Sequence, residues 1–386
     1  MQNFMYYVPT KIHFGTDQLG YLSELKESGS KVLLVYGGGS IKRSGLYDAA
    51  MKVLVEAGLE IFECAGVEPN PRIQTVRRGV EICKENKIDM VLAIGGGSTI
   101  DCAKVIAAGA VYEGNAWDLV INPPLIKAAL PIYSVLTLSA TGSEMDAFAV
   151  ISDLTKNEKW GTASDCMKPK MSILDPTLTY TVSKKQTAAG TADMMSHTFE
   201  NYFNFVEGSE MQAGFAESIL RCAVKYGPIA LEDPTNYDAR ASLMWCASFA
   251  INGTLNAGCA AAWCVHPMEH ELSAFYDITH GEGLAILTPV WMEYILSEKT
   301  APRIAQFGRN VMNVTEKDDM AAAKEAIAAL KTFFFETMGL PANLRAVGIV
   351  EKDNFEVMAQ KAANGCVGSY VPLSKEDIVE IFNRAF

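Results

Sequence analysis

The chain has 386 residues, 49% of them hydrophobic and 20% charged, which is more than one hydrophobic core normally holds and leads us to expect two domains. Its formal net charge of -12 excludes a surface built to neutralise nucleic-acid phosphates or anionic lipid, since either needs clustered Lys and Arg. The nine cysteines form no C-x-x-C pair, and Met1 to Phe14 lacks a basic stretch followed by an apolar one, so a reducing cytoplasm is expected.

In chain order, the first half alternates short apolar runs with helical patterns. Val32 to Tyr36, Met90 to Ile94 and Ile132 to Leu136 each lead into small or glycine-rich residues, the rhythm of βα units. Runs so uniformly apolar suit a parallel sheet covered by helices on both faces, and Ala149 to Ser152 and Met171 to Leu174 are read as further strands. After Asp175-Pro176 only helical signals remain, opening with Ser183 and Gln186 at capping-box spacing and closing with Ser374 and Asp377 at the same spacing. The expected architecture is a doubly wound α/β domain over residues 1–182 and an all-helical domain over residues 183–386. Ala241 to Val265 carries no charge and is long enough to cross a bilayer. The polar and glycine residues Asn252, Gly253, Thr254, Asn256 and Gly258 in its middle argue instead for a core helix broken there.

Three segments of the first half carry candidate chemistry. Gly95-Gly96-Gly97-Ser98 follows a strand and opens a helix, so its backbone can approach a diphosphate while the helix start presents N–H groups to the charge. The ordinary alternative is a tight turn capped by Ser98 and Asp101. This is not the G-x-G-x-x-G fingerprint. Gly37-Gly38-Gly39-Ser40 ends the first apolar run and is followed by Lys42 and Arg43, with no acidic residue until Asp48. A carboxylate there would favour a ribose 2′-hydroxyl, whereas amides, a hydroxyl and cations favour a 2′-phosphate, so NADP(H) is expected ahead of NAD. The hydroxyl-rich loop Thr137 to Glu144 follows the third run and could line a nucleotide or nicotinamide, although taken alone it reads as an ordinary polar strand-to-helix loop.

The second half holds His197, His266, His270 and His280; only His13 lies elsewhere. Asp193 and His197 are four apart in a helical context, as are His266 and His270, which places each pair on one helix face. One carboxylate with several imidazoles suits Fe²⁺ or Zn²⁺ better than Mg²⁺ or Ca²⁺.

These residues resemble the iron-containing, or group III, alcohol dehydrogenases. Gly190 to Glu200 is similar to the family's first metal segment, and His266-Pro-Met-Glu-His270 with Tyr276 to Gly283 to its second. Gly95 to Asp101, Ala140 to Glu144 and Val67 to Pro71 are similar to its nucleotide elements, and Tyr36 to Lys42 looks most like the NADP-dependent butanol dehydrogenase and aldehyde reductase branch. The resemblance implies metal ligands Asp193, His197, His266 and His280, with His270 unligated and available for proton transfer. It implies a cofactor site lined by Gly37, Gly38, Ser40, Asn70, Gly96, Gly97, Ser98, Asp101, Thr137, Thr141 and Lys159. A homodimer or larger homo-oligomer acting on a small alcohol or aldehyde is expected. The rivals are a lyase of the dehydroquinate synthase type, which needs basic side chains for an acidic substrate, and a non-catalytic metal- or nucleotide-binding regulator.

Overall fold

The computed structural model describes residues 1–386. Contacts divide the chain into two units, Tyr7–Val182 and a second formed by Ser183–Phe386 together with Met1–Tyr6.

The first unit is built on a parallel sheet of order β1-β8-β5-β4-β2-β3. Its strands are β1 (Lys11–Phe14), β2 (Lys31–Gly37), β3 (Glu60–Val67), β4 (Met90–Gly95), β5 (Ile132–Leu136) and β8 (Met171–Leu174), and helices α1 (Ser40–Arg43), α2 (Leu46–Glu56), α3 (Ile73–Asn86), α4 (Gly97–Ala110) and α5 (Ala116–Ile121) connect them. Every residue of β4 and β5 is buried, as expected for central parallel strands covered on both faces. Strand β3 at one edge mixes exposed and covered residues without strict alternation. Ala149 to Ser152 does form a strand, β6 (Phe148–Asp153), but outside this sheet: it pairs antiparallel with β7 (Glu158–Ala163) in a two-stranded ribbon. The ribbon is tied to α4 by Lys104, fully buried, whose Nζ donates to Asp146 Oδ1 at 2.6 Å and to the Phe148 carbonyl at 2.7 Å.

The second unit contains no strand. Its helices are α6 (Lys184–Tyr202), α7 (Glu210–Glu232), α8 (Tyr237–Ile251), α9 (Val265–Tyr276), α10 (His280–Ile295), α11 (Ala301–Val311), α12 (Asp319–Lys331), α13 (Phe355–Cys366) and α14 (Lys375–Ala385). Helix α6 is buried on all sides from Thr187 to Tyr202, so it is the core around which the others pack. Ser374 and Asp377 form the expected reciprocal capping box. Ser183 makes only half of one: its side chain accepts from the Gln186 N–H, with no return bond from the Gln186 side chain. The apolar stretch from Ala241 breaks after Ile251 and resumes as helix only at Val265, and no helix is long and apolar enough to cross a membrane.

Candidate metal and nucleotide sites

Three helices of the second unit bring the metal candidates together. Asp193 and His197 project from one face of α6, His266 lies in the first turn of α9, and His280 is the first residue of α10. Asp277 ends α9 in the left-handed conformation, φ 50°, turning the chain sharply toward His280. Gly281 then lets α10 approach α6 so closely that a Cβ there would stand 2.1 Å from the Ala189 carbonyl oxygen. That approach sets His280 beside the α6 pair.

The donor atoms converge on one carboxylate oxygen. Asp193 Oδ1 stands 3.6 Å from His197 Nε2, 3.9 Å from His266 Nε2 and 3.7 Å from His280 Nε2. These separations are too long for hydrogen bonds. They approach the roughly 3.3–3.6 Å between neighbouring ligands of a tetrahedral ion with bonds of ~2.0–2.2 Å. The donors of Asp193, His266 and His280 all lie within 4.8 Å of one another. His197 joins them through Asp193 and through its ring, stacked on that of His266 at 4.7 Å. Burial, then the neighbouring His266, pushes His197 far below the usual histidine range, so it stands as the neutral base that ligation requires.

Two carboxylates that the sequence reading assigned no role hold the far nitrogens. His266 Nδ1 is 3.2 Å from Glu200 Oε1, and His280 Nδ1 is hydrogen-bonded to Glu269 Oε2. Each Nε2 is thereby left as the acceptor facing the centre. Glu200 also accepts the backbone N–H groups of Cys264 at 3.0 Å and His266 at 2.9 Å, which fixes the start of α9. Burial drives its carboxyl up to about 7 against the pull of those N–H groups. The donor set thus fits a divalent ion of intermediate softness, with one carboxylate and three oriented imidazoles.

His270 sits one turn beyond His266 on α9, half-buried, its ring 5.6 Å from that of His280 and 6.3 Å from that of His266. It shares a second donor group with Glu269 and His280. Trp263 walls the centre, its ring 4.8 Å from His266 and 5.5 Å from His197.

In the first unit, β4 ends at Gly95 and α4 begins at Gly97, so the expected strand, glycine turn and helix are all present. A Cβ on Gly97 would fall 2.2 Å from Thr141 Oγ1, and one on Gly96 3.1 Å from Leu138 Cβ. Glycines here therefore let the Thr137 to Thr141 loop fold closely over this turn. Asp101 is not half of a capping box with Ser98; Gly96 occupies the N-cap position. Its Oδ1 accepts from Ser143 Oγ at 2.6 Å and its Oδ2 from the Val150 N–H at 2.9 Å, so the buried carboxylate braces the loop and the ribbon. Lys159 is buried on β7. Gly37 closes β2 against β3, where a Cβ would stand 3.2 Å from the Val67 carbonyl oxygen; Gly38 and Ser40 are exposed just beyond it. Asn70, φ 52°, lies in the loop that leaves β3.

Comparison with known proteins places the chain among relatives. Residues 9–176 match the family described as iron-containing alcohol dehydrogenase, and residues 187–386 match the C-terminal domain of the Fe-containing alcohol dehydrogenase family. The chain is 55% identical to the NADH-dependent butanol dehydrogenase A of Clostridium acetobutylicum over 100% of both chains. It is 39% identical to the NADPH-dependent aldehyde reductase YqhD of Escherichia coli over 90% of each. Its fold superposes on the crystal structure of NADH-dependent butanol dehydrogenase A from Thermotoga maritima with a TM-score of 0.95, at 38% identity and covering 100% of this chain and 99% of that one.

Proposed function

The chain belongs to the iron-containing alcohol dehydrogenases, and from that membership we propose how its own residues divide the work. It is an oxidoreductase that interconverts small alcohols and aldehydes with a nicotinamide cofactor and a divalent metal. In the proposed reading Asp193, His197, His266 and His280 hold the ion, which is Fe²⁺ or Zn²⁺, and the substrate is a short primary alcohol or aldehyde of the butanol and butanal kind. The observation that carries it is the convergence of three Nε2 atoms on Asp193 Oδ1, within 3.6 to 3.9 Å.

When bound, the ion supplies Lewis acidity toward the substrate oxygen and the nicotinamide supplies or accepts the hydride. The protein supplies orientation. Glu200 and Glu269 fix the rings of His266 and His280, while Trp263 presents an apolar wall that favours a small neutral substrate over the acidic one a dehydroquinate synthase-type lyase would need. His270, half-buried beside the centre, exchanges a proton with solvent through a ring nitrogen. The diphosphate rests at Gly96, Gly97 and Ser98 under Thr137 and Thr141, with Asp101 as brace and Lys159 and Asn70 at the margin. The adenosine end lies at Gly37, Gly38 and Ser40, where NADP(H) is accepted ahead of NAD. Exposed Phe4, Met5, Tyr6 and Tyr7 support a homodimer, and nine free cysteines suit the cytoplasm.

The test replaces His266 with Ala and measures bound metal by mass spectrometry alongside NADPH- and NADH-dependent butanal reduction. Metal content is expected to fall below about a tenth of the wild-type value and activity by on the order of a thousandfold. Retained metal with full activity would overturn the assignment.

A further inference from the structure

Just past β2 lies a cluster that the chemistry above leaves unused. The Lys42 ammonium sits 4.4 Å from the centre of the Tyr47 ring and 5.1 Å from that of Tyr36. It is also 3.9 Å from Glu63 Oε2. Both tyrosines point their hydroxyls at the same carboxylate: Tyr36 donates to Oε2, and Tyr47 to Oε1 at 2.7 Å. Bonds from Tyr36 and then Tyr47 hold Glu63 below the usual carboxylate range, and Glu63 in turn raises the Tyr47 phenol to about 12. Glu63 is therefore a fixed anion, and Lys42 is tethered over two aromatic faces beside it.

The position gives this cluster a meaning. Lys42 is two residues past Ser40, at the turn proposed to receive the adenosine ribose, and NADP differs from NAD only by the 2′-phosphate on that ribose. Following the chain, the nearest carboxylate is Asp48. Across the sheet, β3 runs beside β2 with Glu63 in register with Leu34, and this neighbouring strand delivers an acid that sequence order conceals. An unopposed Lys42 would draw a 2′-phosphate. With Glu63 beside it, the pair contributes little net charge to such a ligand.

We infer that Glu63, opposing Lys42, narrows the preference for NADP(H) over NAD at this turn by reducing affinity for a 2′-phosphate while leaving a 2′-hydroxyl tolerated. The inference rests on the nucleotide site proposed above. It is tested on the full-length protein by calorimetric titration with 2′,5′-ADP and with 5′-AMP at low ionic strength, ligands that contain no nicotinamide and undergo no turnover. In Glu63→Gln, which can still accept from the tyrosines, the preference for 2′,5′-ADP over AMP should rise about fivefold; in Lys42→Met it should fall about fivefold. Tyr47→Phe, which frees one carboxylate oxygen without removing the charge, should leave the ratio within about twofold of wild type. Both charge effects should shrink in ~0.5 M salt. A ratio that moves less than twofold in Glu63→Gln and Lys42→Met, or in the same direction in both, overturns the inference and leaves the cofactor site standing. Failure of the wild-type protein to bind either nucleotide overturns the site and the inference together.

Discussion

An imidazole that binds a metal through one nitrogen is aimed by whatever holds the other. Here the two aiming carboxylates share a pattern: Glu200 follows His197 by three residues, Glu269 follows His266 by three, and each serves the histidine of the next helix. Both stand inside the segments that resemble the family's metal motifs, yet spacing along a helix suggests partners on the same helix. The handover from α6 to α9 to α10 becomes visible only once Gly281 seats α10 against α6. That is why the candidate donors could be singled out in the sequence and the carboxylates behind them could not. Glu269 is fully buried, its other oxygen taken by Ser273. Glu269→Ala should therefore weaken metal binding about 10- to 100-fold, measured by competition with a chromogenic chelator, with Glu269→Gln in between. An unchanged metal affinity in Glu269→Ala would show that His280 needs no such support.

Among the elements, the strands legible in the sequence are those covered on both faces, β2, β4, β5 and β8, because burial leaves an apolar run. The missed ones are edges: β1 has only four residues, and β3 mixes Glu60 and Glu63 with apolar neighbours. Of the ribbon β6–β7 the sequence shows only the first strand, and a short apolar strand carries no mark of the sheet it joins. What fixes that ribbon is the Lys104 and Asp146 pair beneath it, which no periodicity announces. A buried lysine whose partner is removed, or the reverse, leaves an uncompensated polar group. Lys104→Met is expected to lower stability by about 3–5 kcal/mol in a denaturant titration, and Asp146→Asn added to it should recover part of the loss. Additive losses in the double variant would mean the two groups act separately.

For the whole molecule, an ion held as proposed by residues of α6, α9 and α10 would tie down only the helical unit. An ion present at a thousand times its dissociation constant adds ~4 kcal/mol to the stability of whatever must unfold to release it. Stripping the metal with a chelator should therefore speed amide hydrogen exchange in those three helices and leave β2, β4 and β5 unchanged; uniform acceleration across both units would contradict this. The change from alternating to purely helical patterning after Asp175-Pro176 made the second unit readable, but not its full membership. Gln2 donates its backbone N–H to the Gly258 carbonyl at 2.8 Å, and a Cβ on Gly258 would come within 3.0 Å of the Phe4 ring. Met1–Tyr6 thus belong to the unit formed by Ser183–Phe386. During synthesis, Met1–Tyr6 have no docking surface until the stretch around Gly258 has been made, and β1 likewise waits for β8. Closing loops of that length is slow and entropically demanding, so these apolar residues stay without their docking surface until the Gly258 stretch is in place.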